Sequence, residues 1–280
     1  MCPPKQGCPS PKRGGWTIRN DGASTPGWAV GKVTPAPAPI DAAAVEDVYD
    51  GYGAWKDWSA RNFMRVTAQQ RAYFADELRG TPLAGRDVLE IGFGSGAFLA
   101  WAKDQGATLY GTEAMPAARD QARAAGVTIL PLDLAQALPH HPARFAAIVA
   151  FDVMEHLTIA ENQTLLDQVA VLLADHGLYV ARFPNGQSPL GRVHQYGDMT
   201  HRSVLSAGIM SQLVAGRPFD VVHLGNQAPS RAAGLRRMGS MARNLAQWLV
   251  ETAVAKLYGM SAPLGPNSVA VLRRRPRGMA

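Results

Sequence analysis

The 280 residues are 47% hydrophobic and 18% charged, which excludes a chain disordered throughout and suits one large domain with appendages. Only two cysteines, Cys2 and Cys8, are present, which excludes a disulfide scaffold, and no apolar run approaches the ~18 residues of a membrane span. The net charge of +6 is uneven: residues 1–40 carry +4, residues 229–280 carry +8, and the stretch between them is acidic at −6. Basic ends on an acidic body argue against a nucleic-acid substrate. They favour contact of the C-terminal segment with an anionic membrane surface or partner. The first residues lack the apolar run of an export signal, so a cytoplasmic protein is expected, peripheral to the membrane if the basic segment docks there.

In chain order, residues 1–40, with Pro35-Ala36-Pro37-Ala38-Pro39, read as a disordered Pro/Gly-rich tail. Residues 41–80 read as a helical cap, because Phe63, Val66, Gln70, Tyr73, Phe74 and Leu78 recur near the 3.6 period within 45–79. Strands are expected at Asp87–Ile91, 108–111, 127–130, Phe145–Phe151, 178–183, 219–224 and 269–272. Helices are expected at 97–103, Pro116–Ala124, 162–173 and 203–214. This alternation predicts an α/β core over 81–228 with a doubly wound, mostly parallel Rossmann-like sheet, whose ligands bind at the carboxyl ends of the strands. Residues 229–280 read as a basic helical segment followed by the final strand. Within 231–258, Met238, Met241, Leu245, Trp248 and Leu249 share one face, and Arg236, Arg243, Asn244, Gln247 and Glu251 lie near the other. The apolar face is expected to pack on the domain or, as the alternative, to rest on an anionic membrane.

The most informative stretch is Asp87-Val88-Leu89-Glu90-Ile91-Gly92-Phe93-Gly94-Ser95-Gly96, an apolar strand running into three glycines at alternate positions. Glycine is needed where backbone turns tightly and approaches a ligand. A dinucleotide loop would read G-x-G-x-x-G. Here the spacing is Gly92-x-Gly94-x-Gly96, and a carboxylate, Glu90, precedes it. That carboxylate would repel phosphates but suits a cationic amine or sulfonium, so spacing and charge favour S-adenosylmethionine over NAD. Glu113, after the second strand, is placed to accept from two ribose hydroxyls, and Asp133, after the third, to reach an adenine amino group.

With these residues and Phe151-Asp152-Val153-Met154-Glu155-His156-Leu157 after the fourth strand, the sequence resembles class I S-adenosylmethionine-dependent methyltransferases over roughly residues 45–225. The resemblance implies a seven-stranded sheet with its last strand antiparallel, transfer of a sulfonium methyl to a nucleophile, and cofactor contacts from the glycine loop, Glu113, Asp133 and Asp152. Phe93 departs from the family pattern, in which a small residue is common.

The acceptor side is sought after the fourth and fifth strands, because an alcohol is a poor nucleophile until a base or metal assists. Asp152, Glu155 and His156 form one titratable cluster. Pro184-Asn185-Gly186, His194, Tyr196, Asp198 and His201 form another. The second resembles bacterial methyltransferases of polysaccharide and glycan assembly, which implies a sugar hydroxyl as acceptor. His201 is the candidate general base, Asp198 its orienting partner and His156 a third catalytic candidate. Asn185, His194 and Tyr196 are candidate acceptor contacts. These ligand types could hold a divalent ion, but their spacings match no standard motif and no metal is assigned. The alternatives are an N- or O-methyltransferase of a lipid-linked, quinone-type or other natural-product acceptor and, from another class, a non-catalytic cofactor-binding module.

Overall fold

The computed structural model describes residues 62–229, 236–259 and 263–278, all within one unit spanning Pro39–Ala280. The tail expected at 1–40 and the start of the cap lie outside the described residues.

Seven strands build one sheet: β1 (Asp87–Ile91), β2 (Thr108–Thr112), β3 (Thr128–Ile129), β4 (Phe145–Phe151), β5 (Leu173–Pro184), β6 (Phe219–Asn226) and β7 (Asn267–Arg274). Their spatial order is β3-β2-β1-β4-β5-β7-β6. The first five are mutually parallel, and β7 lies antiparallel between β5 and β6. The chain leaves β1 toward β3 and then returns to pair β4 with β1, so the strand order reverses at the β1–β4 boundary. In doubly wound sheets that reversal opens a crevice at the carboxyl ends of the strands.

Alternating side chains explain why both faces are covered. Leu89, Ile148, Tyr179, Ala181, Ala270 and Leu272 pack under α4 (Ile159–Leu172) and α6 (Ala207–Val214). Val88, Ala147, Val149, Val180, Val269 and Val271 pack under α1 (Ala68–Glu77), α2 (Ala97–Asp104) and α3 (Pro116–Ala124). A one-turn helix, α5 (Arg192–Gln195), follows β5, and α7 (Arg236–Tyr258) precedes β7.

Several boundaries differ from the sequence expectation for identifiable reasons. Within the described part of the cap, the helix starts only at Ala68. Thr67 closes a capping box there, accepting from the Gln70 amide while the Gln70 side chain accepts from the Thr67 amide. Strand β5 starts at Leu173 rather than 178 and passes through a bulge, where His176 has a φ of +63°. Helix α6 starts at Ala207, capped by Ser206, because the preceding backbone is engaged elsewhere: Ser203 N donates to the Glu155 carbonyl and the Leu205 carbonyl accepts from Gly186 N.

The long helix α7 turns its expected faces around. Ser240 is buried and Glu251 accepts from Asn226 Nδ2 at 2.6 Å and from Leu264 N at 3.1 Å, so polar groups tie the helix to the body. Met238, Met241, Leu245, Trp248 and Leu249 are all more than half exposed. The expectation that this apolar face packs on the domain is corrected.

Candidate functional site

At the end of β1 all three glycines occupy the left-handed region, with φ of +64° at Gly92, +47° at Gly94 and +68° at Gly96. Side chains are disfavoured there on backbone grounds alone. Space adds a second reason at Gly92, where a Cβ would stand 2.7 Å from Val153 Cγ2. Gly96 immediately precedes α2, so the free amides of its first turn open toward the loop. Phe93 is accommodated by β2: its ring lies over Gly111, where a Cβ would be 2.6 Å from Phe93 Cδ1.

The loop is bracketed by buried carboxylates. Glu113 accepts from Gly94 N at 2.8 Å through Oε2 and from Met115 N at 3.0 Å through Oε1, which fixes the end of β2 against the glycine turn. Glu90 is 4% exposed and its Oε2 has no hydrogen-bond partner. Burial holds its carboxyl well above the usual range; the Leu99 amide in α2 counters this, and the neighbouring Glu113 charge adds to it. A buried acid with one oxygen left without a hydrogen bond, beside a turn without side chains, suits a ligand carrying positive charge. Asp133 caps a short 3₁₀ turn by accepting from Ala135 N at 3.0 Å. A cavity of about 310 Å³ lies between Glu113, Pro116 and Arg119 on one side and Ile129 to Leu132 on the other.

Asp152, at φ +58°, forks with Arg182: Arg182 Nε donates to Oδ1 at 2.9 Å, and Nη2 donates to Oδ2. The guanidinium lies 5.5 Å from the ring centroids of both Tyr73 and Phe151. In the sequence Arg182 opens the stretch Arg182-Phe183-Pro184-Asn185-Gly186 that leads into the second cluster, but nothing local assigns it a role.

The two titratable clusters meet in space. Val153 packs on Gly92, so the turn that carries Glu155 and His156 lies directly against the glycine loop. Arg202 N and Ser203 N both donate to the Glu155 carbonyl, which clamps the Asp198–His201 segment onto that turn. His201 Nε2 lies 4.0 Å from Glu155 Oε1 and 3.9 Å from Asp198 Oδ2, and the His156 and His201 rings meet edge-on at 4.7 Å. Both tautomers follow from their partners. His201 Nδ1 is 2.9 Å from the Gln195 carbonyl, which can only accept, so Nδ1 carries a hydrogen and, in the neutral ring, Nε2 carries the lone pair. Thr200 donates its hydroxyl to Asp198 Oδ1 at 2.5 Å, so at 2.8 Å from His156 Nδ1 it accepts, and His156 likewise keeps its lone pair on Nε2. Thr200 and Gln195 were not legible as site residues, because their role is to orient two imidazoles rather than to touch a ligand.

The remaining acceptor candidates part company. Asn185 is fully buried and ties β5 to the entry of β7, donating to the Pro263 and Gly265 carbonyls at 2.8 and 3.0 Å and accepting from Gln187 N at 3.1 Å. Its expected acceptor contact gives way to this structural task. His194 and Tyr196 are exposed on and just after α5, together with Leu190, Val193 and Met199.

Comparison with known proteins agrees with this geometry. A family model described as Methyltransferase domain matches residues 61–224, more than half of the chain. A SAM-dependent methyltransferase from Archaeoglobus fulgidus superposes with a TM-score of 0.52 at 16% identity, over 73% of this chain and 92% of that one. A chain from the complex of the Haloferax volcanii Trm112 methyltransferase activator with a methyltransferase superposes at 0.54 and 14% identity, over 84% of this chain and all of that one. These likenesses concern the fold. No curated protein matches the sequence. The donor loop, the paired carboxylates Glu90 and Glu113 and the family match lead to one conclusion: the chain belongs to the methyltransferase-domain family and is an enzyme whose cofactor is S-adenosylmethionine.

Proposed function

We propose that the enzyme methylates a hydroxyl oxygen, on a sugar or a comparable small molecule, held at the His156–His201 cluster. The observation that carries this reading is the pair of imidazoles packed against Glu155, on the turn that abuts the glycine loop, and Asp198, on the segment clamped to it. S-adenosylmethionine supplies a methyl group already activated on sulfur, so the protein has only to align the acceptor and manage its proton. His201 Nε2 takes that proton, the Gln195 carbonyl orients the ring, and Asp198, 3.9 Å from Nε2, contacts the acceptor. Glu90 faces the cationic end of the donor, Glu113 its ribose, and Asp133 the adenine. Asp152 with Arg182 closes the crevice on the β4 side.

A second reading, an acceptor carried on a lipid, is favoured by the exposed apolar side chains. Leu190, Val193, Tyr196 and Met199 surround the segment that bears Asp198 and His201, and the apolar face of α7 is uncovered. With Arg243 and Lys256 on α7 and the +8 charge of the C-terminal segment, the match is to an anionic lipid surface. No described helix is long and apolar enough to cross a membrane. The acidic body argues against nucleic acid as partner.

The test is methyl transfer from labelled S-adenosylmethionine to fractionated glycans and lipids. His201→Ala is expected to lower turnover at least about 100-fold while calorimetric affinity for S-adenosylmethionine stays within twofold, as removal of an acid–base group does. Gly94→Val is expected to abolish cofactor binding. Near-normal turnover of His201→Ala removes that residue from the reaction.

A further inference from the structure

We infer that Glu155, His156 and His201 form a binding site for one divalent transition-metal ion, and that this ion activates the acceptor hydroxyl. One potential ligand atom from each residue lies within 4.8 Å of the other two. Three atoms so spaced always have a point no farther than about 2.8 Å from any of them, so contraction by under 1 Å per ligand reaches the roughly 2.0–2.2 Å of zinc–imidazole and zinc–carboxylate bonds. The three residues come from two clamped segments, not from one flexible loop, because the Glu155 carbonyl holds both Arg202 N and Ser203 N.

The surroundings of the ligands argue for an ion more strongly than their spacing does. A metal-ligating histidine usually donates its other nitrogen to a carbonyl, carboxylate or hydroxyl, which fixes the tautomer and raises ligand basicity. Both histidines here have that arrangement. His201 Nδ1–H is held by the Gln195 carbonyl, and His156 Nδ1–H by Thr200, whose own hydroxyl is polarised by Asp198. Both lone pairs therefore fall on Nε2, and Glu155, with a side chain 1% exposed, adds negative charge beside them. Two imidazoles with a carboxylate favour zinc, cobalt, nickel or iron over magnesium and calcium, which prefer oxygen alone. Three protein ligands also leave a coordination position open, as in catalytic sites.

The role of the ion rests on the reading of this cluster as the acceptor site. With the ion in place, His201 Nε2 is a ligand, and the positive charge of the ion takes over from the imidazole the lowering of the hydroxyl pKa. The hydroxyl proton passes to Asp198, whose Oδ2 lies 3.9 Å from Nε2. The oxygen then uses an electron pair to bond the methyl carbon, and the carbon–sulfur bond breaks with its pair to sulfur, discharging the sulfonium.

The experiment uses the full chain carrying Cys2→Ser and Cys8→Ser, stripped with a chelator and titrated with cobalt(II). Expected are visible d–d absorption bands that saturate at one ion per chain, a raised melting temperature, and displacement by zinc but not by magnesium. His156→Ala, His201→Ala and Glu155→Gln each weaken binding by roughly tenfold or more. His194→Ala, exposed on the same segment, leaves it unchanged. Absence of saturable bands in the parent chain overturns the site without any need for a variant to fold, as does equal binding by His201→Ala. Methyl transfer is expected to fall roughly tenfold on stripping and to return with zinc or cobalt. Transfer indifferent to stripping overturns the activating role. Cobalt bound with this pattern while no hydroxyl acceptor is found in any fraction leaves the ion site standing and rejects the acceptor reading alone.

Discussion

Phe93 and Gly111 illustrate how one residue in the donor loop depends on another across the sheet. The ring occupies the volume that any side chain at 111 would need, with a Cβ there only 2.6 Å from Cδ1 and 3.0 Å from Cε1. Phe63 packs edge-on against the ring at 6.3 Å, so the ring cannot simply swing away. Gly111→Ala should therefore cost about 1–3 kcal/mol as overpacking of a filled core. Phe93→Ala alone leaves a cavity, but combined with Gly111→Ala it should recover much of the loss. A double-mutant cycle by denaturant unfolding measures the coupling; additive effects would contradict the contact. At this scale the glycine turn was legible, because positive φ and close approach leave a glycine signature in one short stretch. Arg182, Thr200 and Gln195 were not, since their importance arises from residues 30 or more positions away or from a single hydrogen bond to an imidazole. Asn185 was read as an acceptor contact because its neighbours suggested chemistry. Its partners, the carbonyls of 263 and 265, lie almost 80 positions further on.

Elements with strong local signals emerged with their expected bounds: β1, β4 and α3 begin and end where apolar runs and Pro116 place them. Those that differed did so where tertiary partners compete with local propensity, as at the start of α6. Helix α7 is the informative case. Its apolar stripe was legible from periodicity, but which side faces the body depends on Glu251 reaching Asn226 and Leu264 from outside the helix. A 23-residue helix held by polar groups, with Met238 and Leu257 about three-quarters exposed, leaves an apolar strip open to solvent. Docking on an anionic bilayer makes a specific prediction. The protein should sediment with vesicles containing phosphatidylglycerol and much less with phosphatidylcholine alone, and rising salt should release it as screening grows. The double variant Leu245→Glu and Trp248→Glu should lose binding by more than about tenfold, because each apolar side chain contributes roughly 1.5–3 kcal/mol when buried. The basic N-terminal segment is unchanged in that variant. Equal sedimentation would assign membrane contact to that segment and reject α7.

Across the whole molecule, donor binding and stability are linked through the acidic interior. Burial holds the carboxyls of both Glu77 and Glu90 above the ordinary range. A group whose folded pKa exceeds its unfolded value contributes its stability fully below the unfolded pKa, about 4.3 for glutamate, and loses it as pH rises through the folded pKa. These two groups should therefore make the ligand-free enzyme lose stability as pH rises above about 4.3, opposite in sign to the contribution of a paired carboxylate such as Glu161. If Glu90 faces the cationic end of S-adenosylmethionine, as proposed, that positive charge favours the ionised carboxylate, so affinity should tighten over the same pH interval as protons are released. Calorimetry in two buffers of different ionisation enthalpy measures that release directly. Glu90→Gln removes the charge while keeping the shape. It should raise the ligand-free melting temperature by roughly 2–4 °C for each kcal/mol recovered, while weakening the cofactor at least about tenfold and flattening the pH dependence of binding. Glu77→Gln, which can still accept from Ala228 N, should stabilise the ligand-free enzyme and leave the affinity slope intact. If Glu90→Gln melts no higher than the parent and binds the donor as well, the buried charge at the end of β1 is not what couples the two.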